Sequence, residues 1–148
     1  MKKTKDWKII NRQVVIIANA LTKEYNNASL AFKQAWKIIN ERKIYTHVAG
    51  VSFNNRKAVL AMVDDAMQDK TEFHTRFERE PDNEFDKNAV KVNVYFGAIE
   101  DTKPIQLGYL PAEIAKLIAP LLDRGIDIKP HIYGLETWTA RMVVWFKN

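Results

Sequence analysis

Residues 72–96 determine the fold, and they read EFHTRFEREPDNEFDKNAVKVNVYF. Within them, Glu72–Arg79 alternates phenylalanine and threonine with histidine and charged residues, which predicts a strand with two unlike faces. The valines from Val90 onward alternate in the same way and predict a second strand ending near Phe96. Residues 81–83, Pro-Asp-Asn, form a turn signal between them. The segment therefore predicts two strands joined by an Asx-rich turn.

Further helices and strands are predicted on both sides of this pair. Arg56–Gln68 is predicted helical, because Val59, Met62, Val63 and Met67 share one face. A second helix is expected from Pro111 to about Arg124, with Gly125 as its stop and Pro120 kinking or breaking its last turn. The additional predicted strands are Ile44–Phe53, Ile105–Leu110, Asp127–Tyr133 and Thr137–Phe146, with Gly134 separating the last two.

The first 43 residues predict two amphipathic helices. Ile10, Val14, Ile17 and Leu21 recur at helical spacing in the first. In the second, Ser29 is the expected N-cap and the expected apolar face consists of Phe32, Ala35, Trp36 and Ile39. The tryptophans are all expected in the core: Trp7, Trp36, Trp138 and Trp145.

Together these elements predict an α+β fold. We expect a small OB-like β-barrel of five to six strands with two inserted helices, preceded by an N-terminal two-helix extension. The predicted boundaries are a basic helical extension over residues 1–43 and a barrel domain over residues 44–148.

Composition places the protein among packed domains. Its 148 residues suit one domain, and a hydrophobic fraction of 47% excludes global disorder. No apolar run reaches the roughly 18 residues of a membrane span, so no membrane contact is expected. The chain has no cysteine, which excludes disulfides and thiolate metal sites. A cytoplasmic location is the corresponding expectation.

The net charge of +5 is concentrated at the N-terminus. Residues 1–43 contain ten Lys and Arg against three Asp and Glu, a net charge of +7, whereas the remainder carries −2. This asymmetry indicates an arm that faces a polyanion; the alternative is a solvated, lysine-rich helix surface. The residues expected to supply the attraction are Lys2, Lys3, Lys5, Lys8, Arg12, Lys33 and Lys37.

No motif for catalysis is present. The three histidines, His47, His74 and His131, lack metal-ligand spacing, and the chain has no P-loop, nucleophile elbow or dinucleotide fingerprint. The acidic side chains at residues 82, 84 and 86 do not form an EF-hand, because Lys87 and Asn93 stand where glycine and glutamate are required. We therefore predict no catalytic residue, no metal and no cofactor. A metal-dependent nuclease is the remaining enzymatic alternative.

Three segments together resemble a known family. They are VAGVSF at residues 48–53, REPDNEFDKNAVKV at residues 79–92 and LGYLPAEIA at residues 107–115. In this order the segments closely resemble the HIRAN family, over about Tyr45 to Gly134. The absence of an ATPase motif makes the chain similar to the stand-alone members found in bacteria and phages.

The resemblance implies an OB-like barrel that binds single-stranded DNA and holds its 3′ end. It implies that Phe53 stacks on the terminal base, that Phe85 offers an aromatic face and that Asp86 accepts a hydrogen bond from the 3′-hydroxyl. Asn54 and Tyr109 occupy the other DNA-binding positions, where the family carries an aromatic residue and a histidine. Further departures are Ser52 in place of an arginine, and Pro111 and Ala112 in place of basic residues.

Each site residue also has a structural interpretation. Phe85 could plug the barrel mouth, Asp86 with Asn88 could cap the turn, and Tyr109 could be structural. Arg79 is expected to pair with nearby acids. The predicted function is a non-enzymatic DNA-binding module that recognises single-stranded DNA or 3′ ends in repair or replication. The alternative is a protein-interaction adaptor, or a self-associating module, that has lost DNA-end binding.

Overall fold

The computed structural model describes residues 12, 14–19, 21–22, 26–51, 56–97, 102–136 and 139–146. Residues 14–19 and 21–22 are helical. The elements that follow are α1 (Ala28–Glu41), β1 (Lys43–His47), α2 (Arg56–Gln68), β2 (Phe73–Arg79), β3 (Val90–Phe96), β4 (Ile105–Tyr109), α3 (Ala112–Asp123), β5 (Ile128–Glu136) and β6 (Thr139–Phe146). Within this described part of the chain, no helix is long and apolar enough to cross a bilayer.

The strands form two antiparallel sheets with the orders β1-β6-β5 and β2-β3-β4. The mixed helix and strand content and the six strands agree with the sequence-based expectation, but the described strands do not close into one barrel. β2 and β5 are edge strands, and residues of both line an open groove of about 780 Å³. A closed barrel requires continuous hydrogen bonding between neighbouring strands, and this pair lacks it.

The strand pair of residues 72–96 is confirmed. β2 and β3 pair in one unbroken register from Phe73 opposite Phe96 to Arg79 opposite Val90. Val90, Val92 and Val94 are buried, so the predicted valine face is the core face. A bulge between Val92 and Asn93 interrupts the next pairing, of β3 with β4.

One hydrophobic core joins the N-terminal helical residues to both sheets. Val14, Ile17 and Leu21 are buried in it as predicted, whereas Ile10 lies outside the described residues.

The predicted face of α1 is displaced by one residue. The helix begins after Asn27, whose Oδ1 accepts a hydrogen bond from the Leu30 amide at 3.2 Å, so Asn27 and not Ser29 is the N-cap. Starting one residue before Ser29, the helix buries Ala31, Ala35 and Ile38 and leaves Phe32 and Trp36 exposed. Alanines give a close approach to the core without a cavity, which explains why the bulkier aromatic residues are displaced outward.

Other boundaries and faces also differ from expectation. α2 has the predicted limits, but its buried residues are Val59, Val63 and Ala66, with Met62 exposed. Gly134 does not end a strand; it lies inside β5, where the register shifts after Ile132.

α3 keeps its predicted stop, and of the two outcomes expected at Pro120, a kink or a break, the break does not occur. It passes through Pro120 and ends at Asp123, and Gly125 follows with a φ of 78°.

The tryptophans depart from the expected burial. Trp145 is exposed on β6, as Trp36 is on α1, whereas Trp7 and Trp138 lie outside the described residues.

Candidate nucleic-acid interface

The connection between β2 and β3 is held together by the side chain of Asn83. Its Oδ1 accepts hydrogen bonds from the backbone amides of Phe85 and Asp86, at 2.9 and 3.0 Å. Its Nδ2 donates to Oε2 of Glu80 at 2.8 Å. Asparagine forms such Asx turns readily, because its side-chain oxygen takes the place of a backbone carbonyl. The turn predicted from residues 81–83 therefore has a defined shape.

The side chain of Arg79 also stabilises the connection between β2 and β3. Its guanidinium donates to the carbonyls of Ala89 and Lys87 at 2.7 and 3.0 Å, and its Nε donates to Oδ1 of Asp123 at 2.9 Å. The expected pairing of Arg79 with an acid is confirmed by this bond, which ties the loop to the end of α3. The planar five-donor fork of arginine suits a residue that must satisfy several acceptors at once.

Phe85 projects from this fastened loop into solvent. Its side chain is 95% exposed, the largest value among the exposed apolar residues of the described chain. The interpretation of Phe85 as a plug of a barrel mouth is therefore wrong. A fully exposed phenylalanine contributes nothing to the core, so a free flat ring on a fixed loop is suited to stacking.

Asp86 lies beside that ring with its carboxylate held in place. Oδ1 accepts a hydrogen bond from the Asn88 amide at 2.9 Å, so the turn-capping interpretation is confirmed. No donor in the described part of the chain bonds to Oδ2. Capping and ligand contact are therefore compatible, because one oxygen orients the group and the other is available to a hydroxyl.

Tyr109 joins β4 to the base of the loop. Its hydroxyl donates to Oε2 of Glu80 at 2.8 Å, and Lys91 Nζ lies 3.4 Å from Oε1 of the same carboxylate. The hydrogen bonds donated by Asn83 and then Tyr109, with the charge of Lys91, hold the pKa of Glu80 below its ordinary value, although burial opposes them. Glu80 is thus a fixed anion that positions Tyr109, which makes the structural interpretation of this tyrosine correct in part.

The guanidinium of Arg56, at the start of α2, lies over a face of the Tyr109 ring. The guanidinium carbon lies 5.1 Å from the ring centroid, and Nη1 donates to the carbonyl of Gly50 at 2.9 Å. Ala49 and Tyr109 pair through two backbone hydrogen bonds, one donated by each residue. These contacts bring the chain after β1 against β4, next to the loop.

A shallow pocket of about 240 Å³ results between the loop and the start of α3. It is lined by Asn83, Phe85, Asp86, Ala89, Tyr109, Leu110 and Ala112. Small-molecule and cofactor sites usually enclose roughly 300–1,000 Å³, so this pocket suits one ring-sized group. The lining is apolar except for Asn83, the carboxylate of Asp86 and the tyrosine edge.

The family model for the HIRAN domain matches residues 42–136. The chain belongs to the HIRAN family. Among solved structures, it is similar to a protein from Lactobacillus plantarum, with 19% identity, 69% of this chain and 89% of that chain covered, and a TM-score of 0.53. It is also similar to the HIRAN domain of human HLTF, with 22% identity, coverages of 70% and 74% and a TM-score of 0.48. No curated protein matches the chain.

The structure of this HIRAN protein brings three of the five predicted DNA-binding residues together. Phe85, Asp86 and Tyr109 line the same pocket, whereas Phe53 and Asn54 lie outside the described residues. Sequence reasoning missed Glu80 and Arg56, which position Tyr109. Glu80 is adjacent to the recognised turn signal, but nothing in the sequence indicates that its partner lies 29 residues away.

None of the predicted electrostatic residues that the structure describes lines the pocket beside this HIRAN loop. Arg12, Lys33 and Lys37 are exposed on the helical N-terminal part, whereas Lys2, Lys3, Lys5 and Lys8 fall outside the described residues. The described residues also contain no group of three or more His, Asp or Glu placed to hold a metal ion.

Proposed function

We propose that this HIRAN protein is a non-enzymatic DNA-binding module that recognises single-stranded DNA, including its 3′ ends, through the loop between β2 and β3. The observation that carries the proposal is the 95% exposed ring of Phe85 beside the oriented carboxylate of Asp86. Membership of the HIRAN family supports a DNA-binding role.

The ring supplies affinity that does not depend on sequence. Every nucleobase has a π face, and stacking on an aromatic side chain contributes roughly 1–3 kcal/mol per base. Because Asn83 and Arg79 fix the loop, Phe85 is presented without a large ordering cost on binding.

The carboxylate supplies selection for an end. Asp86 lines the ring-sized pocket, and its Oδ2 accepts no hydrogen bond from the described part of the chain, so this oxygen is available to a terminal hydroxyl. A phosphate at the same position would meet a negative charge and would be repelled. The pocket therefore favours a free 3′-hydroxyl over a 3′-phosphate.

The loop carries four acids and one lysine, so we assign the long-range attraction to the basic N-terminal residues. The exposed Arg12, Lys33 and Lys37, together with the lysines among residues 1–11, would contact phosphates in a sequence-independent way. Such contacts release counterions, so the affinity should fall steeply as salt is raised. In this proposal residues 1–43 are the electrostatic extension and residues 44–148 the recognition domain of a bacterial or phage protein acting in DNA repair or replication.

The test is fluorescence anisotropy with single-stranded oligonucleotides that end in a 3′-hydroxyl or a 3′-phosphate. The wild type should prefer the hydroxyl. Asp86→Asn keeps an oxygen for the Asn88 amide but removes the charge, so the preference should fall while the loop stays folded. Phe85→Ala should weaken binding to both oligonucleotides.

Asp82→Asn is the matched control, because Asp82 is an exposed acid of the same loop that does not line the pocket. It should keep the wild-type preference. Equal binding of the two oligonucleotides by the wild type, or an equal effect of Asp82→Asn and Asp86→Asn, would contradict end recognition at this pocket.

A second candidate function is a protein-interaction adaptor, and one observation favours it. Phe32 and Trp36 lie one helical turn apart on α1 and both are exposed. An apolar pair of this kind suits a partner helix or a second copy of the chain. Sedimentation of the wild type and of Phe32→Ser/Trp36→Ser tests self-association, and a monomer in both would contradict that part of the hypothesis.

A further inference from the structure

The outer face of the sheet β1-β6-β5 carries aromatic and basic side chains in neighbouring rows. The strand registers place Trp145 between Lys43 and Lys129 in one row, and Val143 between Tyr45 and His131 in the next. The residues that alternate with these, such as Ile44, Val144 and Ile132, point into the core. The outer face belongs to a different sheet from the loop between β2 and β3, and none of its residues lines the pocket beside that loop.

Three large aromatic side chains are exposed on this outer face. Tyr45 is 60% exposed, and Tyr133 and Trp145 are each 43% exposed. Tyr133 occupies the irregular position of β5 where the register shifts, and its ring meets that of Tyr45 edge-on with centroids 6.0 Å apart. The edge-on contact holds the two rings in place, and each residue still keeps a large part of its surface exposed to solvent.

Lys43 connects the aromatic groups. Its Nζ lies 5.3 Å from the centroid of the Tyr45 ring and 5.8 Å from that of Trp145. The ammonium group is thus held between two rings by cation–π contacts. A phosphate that paired with Lys43 would have its neighbouring bases within reach of those rings.

The charge of the outer face is one-sided. Within the described residues of β1, β5 and β6 the basic side chains are Lys43, Lys129 and Arg141, and Glu136 is the sole acid. Glu136 is paired with Arg141 at 2.9 Å, so these two charges cancel and the surplus positive charge of the three strands is that of Lys43 and Lys129. A surface with this charge is complementary to a polyanion, and its exposed rings are complementary to unpaired bases.

We propose that the outer face of the sheet β1-β6-β5 is a second binding surface for single-stranded nucleic acid, on which bases stack against Tyr45, Tyr133 and Trp145 while phosphates pair with Lys43 and its basic neighbours. The inference rests on the proposed function in one respect, namely that the ligand of the protein is single-stranded DNA. It assigns internal nucleotides to this face, whereas the loop takes the end of the strand.

The adjoining groove between β2 and β5 is a weaker candidate for the strand's path. Arg76 and Lys129 line it, but so do Glu72 and Asp127, so its charge is mixed. The phosphates are therefore placed over the sheet and not within the groove.

The test uses circularised single-stranded oligodeoxythymidine, which has no ends and so does not engage end recognition. Its affinity is measured by anisotropy for the wild-type chain, for Tyr45→Ala/Trp145→Ala and for Tyr45→Phe/Trp145→Phe. The alanine pair should weaken binding about tenfold or more, the usual range for losing stacked bases. The phenylalanine pair should restore binding, because it keeps two flat rings.

Met62→Ala is the matched control, since Met62 is as exposed as Trp145 but lies on α2. It should bind the circle as the wild type does. Lys43→Glu keeps both rings and should also weaken binding, which covers the case in which the alanine pair fails to fold. Unchanged affinity in both the alanine pair and Lys43→Glu, or a wild type that does not bind the circle, would overturn the inference.

The linear 3′-hydroxyl and 3′-phosphate oligonucleotides are measured on the same variants. If the alanine pair loses the circle but keeps the preference for the hydroxyl, both proposals stand as separate surfaces. If Asp86→Asn leaves the preference intact while the alanine pair loses the circle, the end-recognition proposal fails and the sheet face remains.

Discussion

Tyr109 and Glu80, which are 29 residues apart in the chain, are joined by a hydrogen bond of 2.8 Å from the phenol to the carboxylate. The bond fixes β4 against the first residue of the connection between β2 and β3. The same carboxylate receives the amide of Asn83, the residue that shapes the loop. The position of the Phe85 loop therefore depends on a residue of another strand.

Tyr109→Phe should lower the free energy of unfolding by about 1 kcal/mol, the usual net contribution of one hydrogen bond. The ring and its contact with Arg56 are kept, so the loss belongs to the hydroxyl. Urea unfolding at neutral pH measures the effect. Tyr133→Phe is the control, because Tyr133 is exposed and contacts Tyr45 by its ring; an equal loss in both variants would contradict the role of the Tyr109 hydroxyl.

Glu80 should make the stability of the protein depend on pH. Hydrogen bonds from Asn83 and Tyr109 lower its pKa in the folded protein, below the ordinary value of 4.5. The ionised form is thus favoured by folding, so its stabilisation is complete above about pH 4.5 and is lost as the pH falls through the lowered pKa.

The corresponding variant is Glu80→Gln, which keeps an acceptor oxygen but cannot ionise. It should be less stable than the wild type at pH 7, and the difference should shrink as the pH is lowered below 4.5. Urea unfolding at a series of pH values measures this difference. Glu84→Gln, an exposed acid of the same loop, should show no such pH dependence, and a difference for Glu80→Gln that stays constant with pH would contradict the assignment.

The local elements of this fold follow from local sequence patterns. The alternation in residues 72–96 and the apolar spacing of α2 depend on neighbours a few residues apart, and both elements have the predicted limits or nearly so. The Asx turn and the ion pair of Arg79 can also be predicted from the sequence, because asparagine, proline and arginine each have few chemical roles in such a turn.

The errors arise where the outcome depends on distant packing. Asn27 and Ser29 are both good N-caps, and only the fit of the alanines of α1 against the core decides between them. Likewise, Gly134 lies within β5 because β6 provides a partner as far as Glu136. The separation of the strands into two sheets, and the bond between Tyr109 and Glu80, involve contacts that no local pattern encodes.

Position 108 should not tolerate a residue larger than glycine. A Cβ at this position would clash with the carbonyl oxygen of Ala49 and would lie 2.7 Å from Cγ1 of Val48. Gly108→Ala should therefore cost about 1–3 kcal/mol, as overpacking usually does, and should push the chain after β1 away from Tyr109. Thermal unfolding measures the cost. Gly134→Ala is the matched control, because a Cβ there has no neighbour within 4 Å; equal destabilisation of the two variants would contradict the close approach.

Arg79 should contribute more to the free energy of unfolding than its ion pair with Asp123 alone does. Asp123 is half exposed, so Asp123→Ala should cost no more than about 1 kcal/mol. Arg79→Ala also removes the donors for the carbonyls of Ala89 and Lys87, and should cost about 1–3 kcal/mol. Urea unfolding compares the two. Arg79→Lys should recover little, because one ammonium group does not reproduce the fork; an equal cost for Asp123→Ala and Arg79→Ala would reduce the role of Arg79 to the ion pair.

Replacing Phe85 should weaken DNA binding and leave the stability of the protein nearly unchanged. Its ring is 95% exposed, so Phe85→Ala should change the free energy of unfolding by less than about 0.5 kcal/mol. The affinity for single-stranded DNA should nevertheless fall about tenfold, because one stacking surface is lost. Phe77→Ala is the contrasting variant, since Phe77 packs against the core from β2 and its loss should cost about 2–3 kcal/mol, below the full cost of a buried phenylalanine. Urea unfolding and anisotropy on both variants give the comparison. A Phe85→Ala protein that is as destabilised as Phe77→Ala, or one that binds DNA as the wild type does, would mean that the exposed ring serves the fold and not the ligand.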